Sequence, residues 1–186
     1  MKKLIAISSV LAILAGSSAY AKTEGNYIGV SLLDLKSSQQ YNGRVNDTTI
    51  GYGVDYKYAF NFGNNIFLAP GVFYERIGTS AINSANADLK IRSRYGAKLD
   101  LGYDISKQFA VYFTNGIASS RTTVSTNTEM SNMKYFYGLG GLFHATKNVT
   151  LNIEYNTQDF NAKGPDQSID AKTKLEVLKF GVAYHF

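Results

Sequence analysis

The chain has no cysteine and no tryptophan, and it has only two histidines and two prolines. The lack of cysteine excludes disulfides, thiol chemistry and the acylated cysteine of a lipoprotein. No spacing of histidine and acidic residues fits a metal site, so we predict neither a metal nor a cofactor. The formal net charge of +5 is too small an excess to indicate a nucleic-acid-binding protein.

Long apolar runs are also missing, apart from one near the N-terminus. That run covers residues 4–15, follows two lysines and precedes the tripeptide Ala-Tyr-Ala at residues 19–21. It is too short to cross a bilayer as a helix, which disfavours a membrane anchor. A basic start, a short apolar stretch and an A-x-A site together predict a cleaved signal peptide over residues 1–21. We expect the remaining residues, 22–186, to form one domain.

Tyrosine, phenylalanine and glycine are abundant, with 14, 11 and 17 residues, a composition typical of strands and turns. The last nine residues alternate most clearly. Their apolar face consists of Leu178, Phe180, Val182, Tyr184 and Phe186, and their other face of Lys179, Gly181, Ala183 and His185. A strand that is apolar outside and polar inside predicts a closed β-barrel in lipid, because closure leaves no backbone group unpaired in hydrocarbon.

Other segments alternate in the same way, which gives eight predicted strands. They cover residues 25–36, 48–62, 66–77, 88–104, 108–120, 133–145, 149–156 and 173–186. Short turns near Gly63, Ser106 and Lys147 alternate with longer connections at residues 37–47, 78–87, 121–132 and 158–172. The pattern predicts an all-β, eight-stranded antiparallel up-and-down transmembrane barrel with short periplasmic turns, four long extracellular loops and both termini in the periplasm.

Charged residues in these segments fall on the face opposite to the apolar one. Arginine or lysine at the bilayer midplane costs about 2–4 kcal/mol, so we expect these side chains in the lumen. The predicted polar core consists of Asp55, Lys57, Glu75, Lys90, Arg92, Arg94, Lys98, Asp100, Lys134, Glu154 and Lys179, seven basic and four acidic residues. Because eight strands leave room for little more than side chains, we predict a plugged bore without general-diffusion porin activity. The basic excess leaves open whether the lumen holds an anion or only a hydrated polar core.

A soluble barrel of lipocalin type would show the same alternation with its faces reversed. Rows such as Tyr52, Val54, Tyr56 and Tyr58 contain aromatic side chains that a small lumen would struggle to hold. The export signal and the terminal Phe186 also favour the membrane barrel.

The strand number, the loops and the ending Leu-Lys-Phe-Gly-Val-Ala-Tyr-His-Phe resemble the small outer-membrane barrels of the OmpA/OmpX/opacity-protein superfamily. Residues 25–31, Gly-Asn-Tyr-Ile-Gly-Val-Ser, and 51–58, Gly-Tyr-Gly-Val-Asp-Tyr-Lys-Tyr, are similar to the first hairpin of opacity-type surface antigens. In that family the terminal aromatic residue is part of the signal read by the barrel-assembly machinery. The resemblance implies this role for Phe186, with Tyr184 beside it on the same face, and a location in the bacterial outer membrane. We expect a monomer.

The long loops are rich in Ser, Thr, Asn and Gln, and binding functions concentrate on loops held by a rigid scaffold. By analogy with opacity-type antigens we predict a non-enzymatic surface antigen or adhesin that binds host matrix or serum proteins. The loop charges are nearly balanced, which disfavours a strongly anionic partner such as heparin. The alternative is a structural envelope barrel that contacts lipopolysaccharide, with Arg76 and Arg121 near the outer rim as candidate contacts.

A lipid A-modifying enzyme is a second alternative, because some barrels of similar size are acyltransferases or deacylases. Such an enzyme needs a serine nucleophile, a histidine base and an acidic group near the outer leaflet. Both histidines, His144 and His185, are expected at the periplasmic rim, far from lipid A. We therefore predict no catalytic residues.

Overall fold

The computed structural model shows one closed antiparallel sheet in which successive strands pair and the last pairs with the first. The strands are β1 (Gly25–Gln40), β2 (Arg44–Asn61), β3 (Ile66–Ser84), β4 (Ala87–Asp104), β5 (Phe109–Val124), β6 (Glu129–His144), β7 (Val149–Lys163) and β8 (Asp170–His185). The predicted eight-stranded up-and-down barrel is therefore confirmed.

The structure describes residues 23–40, 44–84, 87–124, 129–163 and 170–186. It describes side-chain surroundings for residues 23–38, 48–78, 91–121, 133–159 and 174–186. No helix within these parts of the chain has the length and apolar character to cross a membrane. The predicted signal peptide, residues 1–21, lies outside the described residues.

The two ends of the barrel differ in their connections. The end that carries Gly25 and Phe186, named the terminal end, has three connections of four residues, at 62–65, 105–108 and 145–148. Asn64 and Asn65 have φ angles of 50° and 64°, in the left-handed region that asparagine tolerates. The Ile66 N–H closes this turn by donating to the Gly63 carbonyl at 3.0 Å.

At the opposite end, named the distal end, the structure differs from the four long loops predicted. The strands continue through most of those segments, so that β1 and β2 stay paired as far as Gln40 and Arg44. Only residues 41–43, 85–86, 125–128 and 164–169 separate the strands at this end, and they lie outside the described residues. Loops rich in polar residues were predicted because the apolar alternation fades there. Backbone pairing does not need that alternation once a hairpin has begun.

Side-chain direction follows the alternation. Along β2, Tyr52, Val54 and Phe60 are exposed on the outer wall, whereas Lys57 and Ala59 are buried in the lumen. This orientation is the one predicted for a barrel in lipid and is opposite to that of a water-soluble calyx.

A β-bulge in β4 reverses the alternation near the distal end. Ser93 pairs with Arg121 and Ile91 pairs with Thr122, so Arg92 is an extra residue in the ladder. Ile91 is consequently buried in the lumen and Arg92 is exposed on the outer wall. The prediction that Arg92 belongs to the polar core is therefore wrong, because it assumed an uninterrupted alternation. Lys90, another predicted member of the polar core, is not among the residues whose side chains the structure describes.

Lys134 also departs from its predicted place. It lies opposite Ala118 on the inward register of β6, yet it is exposed. The β6–β7 ladder begins only at Phe136 and Gln158, two residues closer to the terminal end. Lys134 therefore lies at the distal opening, where β6 and β7 are not yet paired beside it, and the prediction that it belongs to the polar core is wrong.

Candidate functional site

A continuous chain of ion pairs crosses the middle of the lumen. The sequence of contacts runs Arg94–Glu75 at 3.0 Å, Glu75–Lys179 at 2.5 Å, Lys179–Glu154 at 3.1 Å, Glu154–Lys98 at 3.0 Å, Lys98–Asp100 at 3.6 Å and Asp100–Lys57 at 3.0 Å. Basic and acidic groups alternate along it, and all seven side chains are buried. These side chains come from strands β2, β3, β4, β7 and β8. The ion pairs therefore connect opposite walls of the barrel.

The charges in this core balance. Lys57, Arg94, Lys98 and Lys179 face Asp55, Glu75, Asp100 and Glu154, with Asp55 half-buried on the inward register of β2. The predicted basic excess depended on Lys90, Arg92 and Lys134. Because Arg92 and Lys134 are outside the core, four basic residues meet four acidic ones among the described side chains. No surplus of positive charge remains there to hold an anion, and the hydrated-core alternative agrees better with this balance.

The seven ion-paired residues are named the charged layer. Two aromatic rings and one amide side chain pack against Arg94 in this layer. The Arg94 guanidinium lies 5.2 Å from the Phe73 ring centre and 4.7 Å from that of Phe136, within cation–π range. Its Nε donates to the Gln158 side-chain carbonyl at 3.0 Å, and the Gln158 amide donates to the backbone carbonyls of Ala118 and Lys134. Gln158 was not predicted, because it lies two residues beyond the predicted end of the seventh strand; the alternation of Glu154 and Asn156, continued to residue 158, was the available signal.

Apolar residues close the lumen on both sides of the charged layer. The distal apolar layer consists of Leu33, Leu35, Ile77, Ile91, Leu175 and Val177. The terminal apolar layer consists of Tyr27, Ala59, Phe67, Ala69, Ala110, Tyr112, Leu142 and Ala183. The distal layer was not predicted, although Leu32-Leu33 and Val177-Leu178 are apolar on both faces of their strands, which is the pattern that indicates it. The charged layer is thus enclosed between two apolar ones.

Large and small side chains alternate around the lumen near the terminal end. A Cβ at Gly102 would overlap the Phe67 ring, and one at Gly140 would overlap the Tyr112 ring. Glycine on the neighbouring strand is therefore what lets each ring enter the bore. Tyr112 in turn donates its hydroxyl to Glu154 at 3.1 Å, which links the terminal apolar layer to the charged layer.

A small polar cluster lies at the terminal end and joins the segment before β1 to the barrel. The Thr23 hydroxyl contacts Asp104 Oδ1 at 2.5 Å and His144 Nε2 at 3.0 Å, and His144 Nδ1 contacts the Thr150 hydroxyl at 2.9 Å. All four residues are buried. The carboxylate bonds the hydroxyl instead of the imidazole, so it cannot orient His144 as the acid of a catalytic triad does. These buried contacts hold the segment before β1 against the barrel, as a structural cap does.

The second histidine and the C-terminus close the ring of strands. His185 stacks on Tyr27, with ring centres 4.4 Å apart. Asn26 and Phe186 exchange two backbone hydrogen bonds, at 3.1 and 3.0 Å. The Tyr184 and Phe186 rings are exposed on the outer wall, with centres 6.2 Å apart. The two residues predicted as an assembly signal therefore present adjacent aromatic rings beside the seam between β8 and β1.

The outer wall carries a band of large apolar side chains. Among the side chains that the structure describes on this wall, the charged ones lie toward the distal end. Arg76 and Arg121 are both exposed, and the Arg121 guanidinium lies 5.6 Å from the ring centre of Tyr95. Tyr74 and Tyr95 pair directly across β3 and β4, one step nearer the terminal end than Arg76. Aromatic rings bordering an apolar band are typical of a membrane–water interface. Within the described part of the chain, no group of three or more His, Cys, Asp or Glu residues is placed to hold a metal ion.

Comparison with known proteins gives a family match and several structural matches. The sequence matches the outer membrane protein β-barrel domain over residues 7–186. The structure is similar to Neisserial surface protein A, with a TM-score of 0.64 and 18% identity, covering 88% of this chain and 98% of that one. It is also similar to Ail, the attachment invasion locus protein of Yersinia pestis, with a TM-score of 0.57 and 21% identity, covering 88% and 99%. No match was found among curated proteins.

Proposed function

Because the chain belongs to the outer membrane protein β-barrel family, we propose that it is a non-enzymatic surface protein of the bacterial outer membrane that binds host matrix or serum proteins through its distal hairpins. The distal end then faces the outside, and the terminal end faces the periplasm. Residues 1–21 act as the export signal, and Phe186 with Tyr184 forms the signal for the barrel-assembly machinery.

One observation carries this proposal, namely the unequal ends of the barrel. The strands contain 15 to 19 residues, whereas about 9–11 residues of a tilted strand cross a membrane. With turns of four residues at the terminal end, the surplus length must project from the distal end. Paired hairpins of this kind present a broad, rigid surface outside the membrane, which is where binding functions are expected.

The enclosed lumen supports a role in binding over one in transport. The buried chain of ion pairs and the apolar layers on both sides of it fill an interior that eight strands make narrow. We expect purified protein to give no large, stable conductance in planar-bilayer recordings. Stable openings of porin size would contradict the sealed lumen.

The positions of the two histidines are the reason that we propose no lipid A-modifying activity. His144 is buried in the cap at the terminal end, and His185 stacks on Tyr27 at the same end. With the terminal end in the periplasm, neither reaches the outer leaflet, where lipid A lies. A lipid A mass spectrum that changes when the protein is expressed would overturn this part of the proposal.

The fold relatives favour adhesion as the specific role. Neisserial surface protein A is by name a surface protein, and Ail is by name an attachment and invasion protein. Ail has also been crystallised with sucrose octasulfate, a heparin analogue. The nearly balanced charges of the distal segments in this chain favour a protein partner over a sulfated polysaccharide.

The adhesin proposal is tested by a pull-down of serum and matrix proteins with the reconstituted protein. A variant that lacks residues 38–46 and 160–173 shortens two distal hairpins and should lose binding while keeping the barrel. The matched control replaces residues in the turns of the terminal end, Lys107→Ser with Lys147→Ser, and should bind like the parent. Equal binding by the shortened variant, with its barrel fold intact, would contradict the proposal.

The orientation of the barrel in the membrane is tested separately with single-cysteine variants. Such variants carry one unique thiol, because the chain has no cysteine of its own. Gln40→Cys places a single thiol at the distal end of β1, and Lys107→Cys places one in a turn of the terminal end. We expect a membrane-impermeant maleimide to label the first on intact cells and the second only after the outer membrane is permeabilised. The reverse result would place the distal hairpins in the periplasm.

A further inference from the structure

Three exposed arginines lie together on one face of the outer wall. Arg76 on β3 and Arg121 on β5 both pair with Ser93 on β4, so the three residues form a row across neighbouring strands. Strands are spaced about 4.8 Å apart, which puts the Cα atoms of the two arginines about 10 Å from each other. Arg92, the extra residue of the β4 bulge, adds a third exposed guanidinium next to this row.

The bulge is what builds this group. An uninterrupted β4 would direct Arg92 into the lumen, whereas the bulge places it outside and puts Ile91 into the distal apolar layer. Ser93 is only 8% exposed although it lies on the outward face between Arg76 and Arg121. This small residue is therefore covered by its neighbours, and long basic side chains flank it on both adjacent strands.

The described side chains around the three arginines include no acidic group. Among the side chains that the structure describes on the outward faces of β3, β4 and β5, none is acidic. The opposite face, on β7, β8 and β1, is mixed: Asp34, Asp159 and Glu176 accompany Lys36 and Lys174. Arginines without local acidic neighbours favour an external anion over an internal salt bridge.

The position of the three arginines along the barrel axis indicates which anion they bind. The arginine row lies directly distal to the cross-strand pair Tyr74–Tyr95, and Tyr52 pairs with Arg76 on the other side. Tyrosines at this position mark the boundary between acyl chains and headgroups. Guanidinium groups just beyond it are at the level of lipid headgroups and below the hairpins that would meet a soluble partner.

We propose that Arg76, Arg92 and Arg121 form a binding site for the phosphate groups of a phosphorylated glycolipid in the leaflet at the distal end. Guanidinium groups bind phosphate in a bidentate manner, and three of them within reach of one another can clamp one headgroup. The site rests on the proposed function only for its location in the outer leaflet, where the glycolipid is lipopolysaccharide. It is independent of adhesion.

The test is native mass spectrometry of the protein reconstituted in phosphatidylcholine nanodiscs with bis-phosphorylated lipid A or with the same lipid A after removal of both phosphates. We expect the parent to retain the phosphorylated form and to bind the dephosphorylated form at least about tenfold more weakly. The variant Arg76→Gln/Arg92→Gln/Arg121→Gln should lose about tenfold or more in affinity for the phosphorylated form. The matched control Lys36→Gln/Lys147→Gln/Lys174→Gln removes three exposed charges outside β3–β5 and should bind like the parent.

Two further measurements keep the result decisive. Replacing all three arginines by lysine keeps the charge but removes the planar fork, so we expect intermediate affinity. Sucrose octasulfate and inorganic phosphate added in solution should not displace the lipid at equal concentration. Unchanged binding by the glutamine variant, or equal retention of the dephosphorylated lipid, would overturn the site. Maleimide labelling at Gln40→Cys tests the orientation alone, so a failed orientation is distinguishable from a failed site.

Discussion

The lumen and the outer wall of this barrel use the same residue types for opposite purposes. Glu154 is buried between two lysines inside, whereas Glu176 is half-exposed beside Lys174 outside. Leu33 is 2% exposed in the distal apolar layer, and its neighbour Leu32 is 65% exposed on the wall. Arg94 lies between two aromatic rings in the bore, and Arg92, two residues away, lies outside. The side of the strand, and not the residue type, decides what each group contributes.

The specificity of the fold resides mainly in the lumen. Outward residues need only be apolar and roughly the right size, because acyl chains adapt to them. Inward residues must fit one another in volume and charge, because the lumen is closed and its partners are fixed. We therefore expect a substitution in the lumen to cost far more than the same substitution on the wall. Matched substitutions, one in the lumen and one on the wall, test this expectation.

Breaking the chain of ion pairs should have the largest effect. Glu154→Gln leaves Lys98 and Lys179 buried with one carboxylate fewer, and we expect a loss of about 3–5 kcal/mol in the free energy of unfolding. Glu176→Gln disrupts the exposed pair with Lys174 and should cost less than about 1 kcal/mol. Urea unfolding in lipid vesicles, followed by tyrosine fluorescence and by heat-modifiable gel mobility, measures both.

A second substitution separates charge from packing at the same position. Adding Lys98→Met to Glu154→Gln removes the uncompensated positive charge and should restore part of the lost stability. If Lys98→Met lowers the free energy of unfolding as much in Glu154→Gln as it does in the parent, the alternating charges do not act as a connected group.

Removing packing from the distal apolar layer should have the next largest effect. Leu33→Ala leaves a cavity among Leu35, Ile77 and their neighbours, with an expected loss of about 2–5 kcal/mol. Leu32→Ala removes the same atoms from the outer wall, where lipid fills the space, and should cost clearly less. Equal losses for the two variants would show that the layer is not tightly packed.

Much of this comparison could be predicted from the sequence, because strict alternation fixes which side each residue takes. The strand number, the turns at Asn64–Asn65 and the inward Glu75, Lys98 and Glu154 all follow from it. The displaced Arg92 could not be predicted, because a bulge adds one residue without a distinctive composition at that point. The length of the distal hairpins was missed for a related reason: backbone pairing holds them together where side-chain alternation is weak.

The candidate arginine site shows the same limit. Arg76 and Arg121 were predicted as lipopolysaccharide contacts from their outward register alone. The third arginine emerges only when the bulge is known, because the alternation assigns it to the lumen. The distal apolar layer was missed as well, because apolar residues on both faces of one strand indicate an apolar lumen only once the neighbouring strands show the same pattern.

Two adjacent glycines on β6 allow a single methyl group to be added on either side of the strand. A Cβ at Gly140 overlaps the Tyr112 ring in the lumen, whereas a Cβ at Gly141 would find its nearest neighbours 3.7 and 3.8 Å away, at ordinary contact distance. We expect Gly140→Ala to cost about 1–3 kcal/mol of unfolding free energy and Gly141→Ala to be close to neutral. Tyr112 donates its hydroxyl to Glu154, so displacing its ring in Gly140→Ala should also weaken this hydrogen bond. Glu154→Gln should therefore lower the free energy of unfolding less in Gly140→Ala than in the parent. Strict additivity of the two changes would show that the ring and the ion pairs are independent, and that the terminal apolar layer does not support the charged one.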